Sequence, residues 1–320
     1  MIRRREFITL LCGAAAWPLA ARAQQGTVRR VGVLAAATED LAIVPRLLRE
    51  GLSKLGWIDG RNLRLDARFG AFDADRYRAY AAELVSLKPD VIVTAGAPAT
   101  RAVQQQTQTI PIVFIALGDP LAGGIVKSVT RPEGNTTGFS GFSSIGGKLV
   151  ELLKTAAPSI ERVADIRTPF IEGDWSNSIE EAARALSLRA VRISARNDAV
   201  ELERAIEAFA GAPNGGLIVQ TYAEFGYDLP ALATKLRLPA IYTSRDLVAG
   251  GGLMSYGGNL QEYYRRLASQ VDRILRGAKP GDLPVEYPTR FEFVINLKAA
   301  KAIGLTISPN LFAIADEVIE

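Results

Sequence analysis

The sequence of 320 residues contains no histidine and a single cysteine, Cys12. Without histidine, neither a Ser-His-Asp nor a Cys-His catalytic group can form, and no imidazole is available to bind a metal ion. One cysteine cannot make an internal disulfide bond. We therefore predict no catalytic residues, no metal site and no cofactor.

Several enzyme motifs are also missing from the sequence. It contains no Gly-x-Gly-x-x-Gly, no Gly-x-x-x-x-Gly-Lys loop, no Gly-x-Ser-x-Gly and no Cys-x-x-Cys. The carboxylates are scattered at a spacing typical of solvated helix faces, as at Glu180-Glu181 and at Glu201 and Glu203. Such a composition favours a protein that binds over one that catalyses.

The excess of positive charge is concentrated in the first 23 residues, although the whole chain has a net charge of +4 and a pI near 9.2. Three arginines at positions 3–5, the uncharged residues 8–16 and Ala21-Arg22-Ala23 are typical of a secretory signal. The uncharged run is too short to cross a bilayer. Arg4-Arg5-Glu6-Phe7-Ile8 favours twin-arginine export, with general secretion left open and a buried N-terminal helix as the weaker alternative.

Cleavage after Ala23 would remove most of the net positive charge of the chain. The removed segment carries four arginines, one glutamate and Cys12, so the net charge of the remaining chain falls to about +1. A basic patch for nucleic acid is then not indicated. We predict a periplasmic protein with no nucleic-acid partner.

The rest of the chain alternates short runs rich in Val and Ile with longer stretches of helical periodicity, which is typical of βα units around a parallel sheet. The predicted strands are 30–34, 63–69, 91–94 and 112–115 in a first series, and 162–166, 190–194, 217–221 and 240–243 in a second. We predict an α/β fold of two Rossmann-like lobes, 29–140 and 143–254. Each lobe is completed by part of 255–320, and a hinge of several crossovers joins them.

Segments along nearly the whole chain carry a family resemblance. They are Ile110-Pro111-Ile112-Val113-Phe114, Gly118-Asp119-Pro120, the Arg-Pro-x-Gly-Asn-x-Thr-Gly pattern at 131–138, Pro239-Ala240-Ile241-Tyr242, 251–257, Tyr264-Arg265-Arg266, 271–275, 277–280, 283–286, 294–301 and 315–319. In these segments the chain resembles the substrate-binding proteins of ABC importers of the tryptophan/tyrosine-uptake type.

This resemblance implies a periplasmic binding protein of type I. Such proteins have two lobes, three crossovers and a ligand in the cleft between the lobes, and they deliver that ligand to an ABC permease at the inner membrane. They are not enzymes. We accordingly expect a monomer that binds a small amino-acid-like or carboxylated molecule, whose identity the sequence leaves open.

Candidate ligand contacts in the first lobe are the loops that follow its strands. Ligands of open parallel sheets bind beyond the carboxyl ends of the strands, where helix N-termini present free N–H groups. The residues singled out are Gly96, Ala97 and Thr100 after the third strand, Ala116 and Leu117 after the fourth, and Ala37 and Thr38 after the first. Turn geometry and helix capping are the alternative roles for these small residues.

Candidate contacts in the second lobe are chemically richer. They are Arg167 and Thr168, Thr221 and Tyr222, Ser244, and Tyr256 at a predicted crossing between lobes. Arg167 is suited to pair with a carboxylate and Tyr222 to stack on a ligand, although ordinary surface roles remain open for both. The family often has Asn-Pro in place of Thr168-Pro169 and Asp-Pro in place of Thr221-Tyr222, so these departures leave the ligand undefined.

Two other functional classes remain as hypotheses. An exported α/β enzyme acting on a small organic substrate would need a reactive group of residues, and the lack of histidine makes one hard to assemble. A ligand-sensing regulator with the same two lobes would need an N-terminal DNA-binding segment, and the predicted export signal takes its place. The transport receptor is the favoured hypothesis.

Overall fold

A computed structural model describes residues 28–35, 39, 43–116, 119–141, 145–167, 175–194, 199–220 and 228–320. Its strands form two sheets, each packed between layers of helices. The predicted α/β class is therefore confirmed. The predicted signal, residues 1–23, lies outside the described residues. Within those ranges, no helix combines the length and the apolar character needed to span a bilayer.

The first sheet consists of five described strands, all parallel, in the order β2-β1-β3-β4-β5. These strands are β1 (Arg29–Ala35), β2 (Leu63–Phe69), β3 (Val91–Ala95), β4 (Ile112–Ala116) and β5 (Thr136–Ser140). The helices between them are α1 (Ile43–Lys54), α2 (Ala74–Ser86) and α3 (Ala97–Gln106). Val91, Ile92 and Val93 are fully buried, as expected for a strand covered by helices on both faces.

The second sheet has seven described strands in the order β12-β11-β10-β9-β8-β6-β7. They are β6 (Arg162–Arg167), β7 (Arg189–Ser194), β8 (Gly215–Gln220), β9 (Ala240–Tyr242), β10 (Met254–Gly257), β11 (Glu292–Asn296) and β12 (Glu317–Ile319). β10 and β11 pair antiparallel, and the other neighbours pair parallel. The described helices after β5 are α4 (Gly146–Ala156), α5 (Trp175–Ala185), α6 (Ala199–Ala210), α7 (Leu229–Lys235), α8 (Arg245–Ala249), α9 (Leu260–Leu275), α10 (Leu297–Ala302) and α11 (Pro309–Ile314).

Helix α9 belongs to the core of the first sheet, although in the chain it lies between β10 and β11 of the second. Asn259 starts it, because its Oδ1 accepts the Glu262 N–H at 3.1 Å. Leu267, Ala268 and Val271 form a fully buried stripe that packs with α1 against the first sheet. Gly51 of α1 lies so close to α9 that a Cβ at this position would be 2.7 Å from the Ala268 Cβ.

Within the described residues, the chain passes between the two sheets three times. The first passage follows β5, the second lies between β10 and α9, and the third leads from Tyr287 to β11. Before the third passage the chain runs beside β5, where the Glu286 N–H donates to the Gly138 carbonyl at 2.9 Å. The C-terminal part is thus shared: α9 packs on the first sheet, whereas β11 and β12 extend the second.

Candidate ligand-binding site

The carboxyl edges of the two sheets lie beside the three passages of the chain between them, which we call the crossovers and together the hinge. β5 ends at Ser140, and the chain then enters α4, which packs on the second sheet. Because α4 ends shortly before β6 begins, its first turn lies at the opposite, carboxyl edge of that sheet. β10 likewise ends at Gly257, and α9 begins at Leu260 on the first sheet. Both carboxyl edges, where open parallel sheets bind ligands, therefore meet at the crossovers.

In the first lobe, the turn from β3 into α3 offers backbone amides. Gly96 occupies the N-cap with a φ of 95°, a conformation that favours glycine. No described side chain caps this helix, and its first turn contains no acidic residue. The N-terminus of α3 thus has the positive end of its dipole uncompensated by side chains at the carboxyl edge of the sheet.

The buried side chain of Thr100 stabilises this turn. Its Oγ1 donates to the Gly96 carbonyl at 2.9 Å and lies 2.9 Å from the Thr94 Oγ1. Both threonines are fully buried. The hydroxyl of Thr100 is therefore engaged by the protein, and it holds the backbone of Gly96 at the start of α3.

We expect Thr100→Val to lower the free energy of unfolding by about 1–2 kcal/mol, because the isosteric valine leaves Thr94 Oγ1 and the Gly96 carbonyl without this buried hydroxyl. Urea denaturation followed by circular dichroism measures the change. Thr155→Val is the matched control, since its hydroxyl bonds the Glu151 carbonyl at an exposed position, and a change below about 0.5 kcal/mol is expected there. Equal effects at the two sites would contradict the bracing role.

The fourth strand ends inside an apolar cluster. Ala116 is buried with Phe114, Ile125 and Val285. Its carbonyl accepts the Gly141 N–H at 2.7 Å, which ties the end of β4 to the start of the first crossover. Ala116 therefore lies at the predicted edge, with its side chain packed in the lobe and its backbone bonded to the hinge.

In the second lobe, three polar side chains are buried together at the ends of neighbouring strands. Arg167 ends β6, Gln220 ends β8, and the two residues are paired in register. Gln220 Nε2 donates to Asp165 Oδ1, and Arg167 Nε lies 3.7 Å from Asp165 Oδ2. The Oε1 of Gln220 has no hydrogen-bond partner among the described residues. We name Asp165, Arg167 and Gln220 the buried polar group.

Asp165 is the titratable centre of this group. Burial raises its pKa well above the usual range, to about 7, while the Gln220 hydrogen bond and the Arg192 charge act in the opposite direction. Asp165 and Gln220 were not among the predicted contacts. The available signal was one polar residue in each of two otherwise apolar runs, Val163-Ala164-Asp165-Ile166 and Leu217-Ile218-Val219-Gln220.

Ser244 and Tyr256 lie at the same edge of the second sheet. Ser244 caps α8, with its Oγ accepting the Asp246 N–H at 3.3 Å, and it is buried. Tyr256 is half-buried, and its ring stacks on Phe291 with centroids 5.6 Å apart. Phe291 belongs to the third crossover, so Tyr256 is both a strand-end residue and a hinge contact.

The predicted contacts fall into two sets. Those the structure describes lie at the carboxyl edges or just inside them: Gly96, Ala97, Thr100 and Ala116 on the first sheet, and Arg167, Ser244 and Tyr256 on the second. Outside the described residues are Ala37, Thr38, Leu117, Thr168, Thr221 and Tyr222. Contact with a ligand stays a prediction for both sets.

The hinge beside these edges is held by polar contacts. Arg266 of α9 donates to Glu262 Oε1 at 2.9 Å and to Thr289 Oγ1 at 3.0 Å, so it connects the helix to the third crossover. Tyr263 packs against Phe139 with ring centroids 4.7 Å apart, and its hydroxyl donates to the Gly141 carbonyl at 3.3 Å. Within the described part of the chain, no group of three or more His, Cys, Asp or Glu side chains could hold a metal ion.

Two α/β sheets joined by three passages of the chain fit a two-lobed solute receptor, and comparison with known families agrees. The chain belongs to the ABC transporter substrate binding protein family, whose profile matches residues 39–319. The predicted resemblance to the substrate-binding proteins of ABC importers is therefore confirmed. Members of this family bind a solute outside the cytoplasm and present it to an ABC permease.

Individual relatives agree with this assignment. The chain is 26% identical over 264 residues to a tyrosine-binding protein of Clostridioides difficile (strain R20291), covering 80% of this chain and 75% of the relative. A conserved domain protein of Vibrio cholerae has a similar structure, with a TM-score of 0.81, 25% identity and coverage of 91% and 100% of the two chains. An ABC domain from Streptococcus pneumonia, solved in complex with L-Trp, has a TM-score of 0.79, 22% identity and coverage of 92% and 100%.

Proposed function

We propose that this substrate-binding protein captures an amino acid or a related carboxylate between its lobes, with aromatic L-amino acids as the preferred class. The observation that carries the proposal is the buried guanidinium of Arg167 at the carboxyl edge of the second sheet. Across the hinge, the first sheet supplies the α3 N-terminus, which no described side chain caps. A carboxylate suits both positions. The ligands named for the tyrosine-binding relative and the L-Trp complex support an aromatic side chain.

Binding in this scheme is coupled to closure of the lobes. A ligand that contacts both lobes stabilises the closed form, and the permease recognises that form. We place the ligand among Ala37, Thr38, Gly96, Ala97, Ala116, Leu117, Arg167, Thr168, Thr221, Tyr222, Ser244 and Tyr256, with Thr100 acting through the Gly96 turn. Tyr222 and Tyr256 supply aromatic surface for stacking.

The proposal also covers the location of the protein, its oligomeric state and its partner. We place the mature protein in the periplasm as a monomer, with residues 1–23 removed, lobes at 29–140 and 143–254, and a permease of the inner membrane as its partner. Mass spectrometry of the exported protein should find Gln24 at the N-terminus. An uncleaved N-terminus on the exported protein would contradict the processing step.

A ligand screen tests the function. Purified protein is assayed by thermal shift and calorimetry against L-tyrosine, L-tryptophan, L-phenylalanine, L-leucine, tyramine and myo-inositol. We expect one aromatic L-amino acid bound per chain, no binding of tyramine, which lacks the carboxylate, and a more compact scattering profile in the complex. Steady turnover of a compound without stoichiometric binding would support the enzyme hypothesis instead.

The role of Arg167 is tested by Arg167→Gln, which removes the charge and keeps most of the volume. We expect affinity for the amino acid to fall at least about tenfold, the effect of losing a charge-assisted hydrogen bond. Arg189→Gln is the matched control, because Arg189 begins the neighbouring strand β7 at the opposite edge of the sheet and is exposed. Unchanged affinity in Arg167→Gln, with the fold intact, would remove Arg167 from the site.

A further inference from the structure

The buried polar group places the proposed ligand contact, Arg167, next to the ionisable carboxyl of Asp165. Asp165, Arg167 and Gln220 are 3%, 6% and 1% exposed, so each is removed from solvent. Arg167 is the last residue of β6, whereas Asp165 lies two residues earlier and therefore about 7 Å further from the edge. A buried charge requires a partner of opposite sign, and each of these two residues is an available counter-ion for the other.

The contact between the two charges is loose. Arg167 Nε lies 3.7 Å from Asp165 Oδ2, beyond hydrogen-bonding distance, so the attraction is electrostatic without a directional bond. The other carboxyl oxygen is engaged by the Gln220 amide. The charge of Arg167 is thus balanced by a group that does not hold it tightly and that lies beneath it, away from the cleft.

The geometry points to a proton-linked counter-ion: when Asp165 takes up a proton, the charge of Arg167 becomes available to the carboxylate of a ligand. Asp165 and Gln220 are then positioning residues for Arg167, and affinity for carboxylate ligands depends on pH. This inference rests on the proposed function for its ligand, whereas the coupling of Asp165 to Arg167 is a property of the ligand-free protein.

The surroundings of Asp165 favour its protonation near neutral pH. Among the described residues, the charged groups that act on it are Arg167 on its own strand, Arg192 on β7 and Glu180 on α5. Arg192 lies close to Glu180, with Nη2 2.7 Å from the Glu180 Oε1, and the two opposite charges act on the pKa of Asp165 in opposite directions. Burial is the main cause that raises this pKa, to about 7.

The side-chain amide of Gln220 can form a hydrogen bond with either protonation state of Asp165. With Asp165 ionised, its Nε2 donates to Oδ1 and its Oε1 is left without a described partner. With Asp165 protonated, a half-turn of the amide brings Oε1 to accept the new O–H. The amide oxygen then accepts the carboxyl O–H, so the contact between Asp165 and Gln220 is kept in the protonated form, while Nε2 takes the place that Oε1 held.

Calorimetric titration of L-tyrosine between pH 6 and pH 8 tests the linkage, because the ligand carboxylate stays ionised throughout. We expect the affinity of the wild-type protein to fall about tenfold over this range, with proton uptake on binding visible in buffers of different ionisation enthalpy. Asp165→Asn should bind with little pH dependence. Glu161→Gln is the control, because Glu161 is exposed and precedes β6 at the opposite edge of the sheet, and it should retain the dependence. Equal pH profiles for the wild type and Asp165→Asn would overturn the inference.

A second measurement needs no ligand and separates this inference from the proposed function. The carboxyl of Asp165 is titrated by carbon-13 NMR in the wild type and in Arg167→Gln. Loss of the guanidinium should move the midpoint upward by about one pH unit. An unchanged midpoint shows that the two groups are not coupled and overturns the inference, even if L-tyrosine binds. A shifted midpoint together with no binding of L-tyrosine supports the counter-ion pair and contradicts the proposed ligand class.

Discussion

Gly257→Ala should lower the free energy of unfolding by about 3 kcal/mol, because the added methyl group has no room. Gly257 ends β10 immediately before the second crossover, and a Cβ there would overlap the carbonyl oxygen of Thr243 and lie 2.8 Å from its carbonyl carbon. These are backbone atoms beside the neighbouring strand β9, so no side-chain rotation relieves the contact. The strands must separate at the point where the chain leaves the second sheet.

Gly147→Ala provides the matched control for this substitution. Gly147 lies in α4, which the chain enters after the first crossover, and a Cβ there would make an ordinary contact of 3.8 Å with the Ala182 Cβ. Replacing a helical glycine by alanine should raise the free energy of unfolding by about 0.5–1 kcal/mol. Urea denaturation measures both variants. A neutral Gly257→Ala would show that the end of β10 can move away from Thr243 without cost.

Wild-type protein should lose stability relative to Asp165→Asn as the pH rises from 4 to 8. The folded protein holds the Asp165 proton more tightly than the unfolded chain does, with a pKa of about 7 against 3.8. Ionisation is therefore unfavourable in the folded state: the penalty is absent below pH 4, grows as the pH rises and is complete above 7. The difference in unfolding free energy between wild type and variant should change by about 4 kcal/mol over this range.

Urea titrations at half-unit steps of pH give this difference directly, because contributions from other groups are common to both proteins. Asp73→Asn is a useful contrast. Backbone hydrogen bonds from Arg76 and Asp75 lower the pKa of Asp73, so its stabilising effect is present at neutral pH and is lost as the pH falls below 4. A constant difference between wild type and Asp165→Asn above pH 5 would mean that Arg167 keeps Asp165 ionised throughout.

The regular strands and long helices could be predicted from sequence because their patterns are local. The predicted strand 63–69 agrees with β2, and the predicted alternation of apolar runs with helical stretches agrees with the order of strands and helices in both sheets. Helix α4 was missed: it begins at Gly146-Gly147, and Ile145 at its N-cap makes no side-chain cap. Residues 284–297 are divided between the two sheets, since residues up to Tyr287 follow β5 and Glu292–Asn296 forms a strand of the second sheet.

The edges that carry the candidate site could also be anticipated, since the ends of parallel strands follow from the βα alternation. The buried polar group could not, because it depends on contacts between distant positions. Asp165 and Gln220 are 55 residues apart, and their side chains meet only when β6 and β8 become neighbours with β7 on the outer side. Nothing local in the sequence specifies this strand order.

The position of α9 determines when the first lobe can become stable during synthesis. Residues 29–140 contain all five strands of the first sheet, yet the face that carries Leu48, Leu52 and Val93 is covered by a helix that begins at Leu260. A chain that ends before this helix leaves that apolar face exposed, as is common in partly folded proteins. The core of the first sheet is therefore complete only when the chain has been made beyond residue 275.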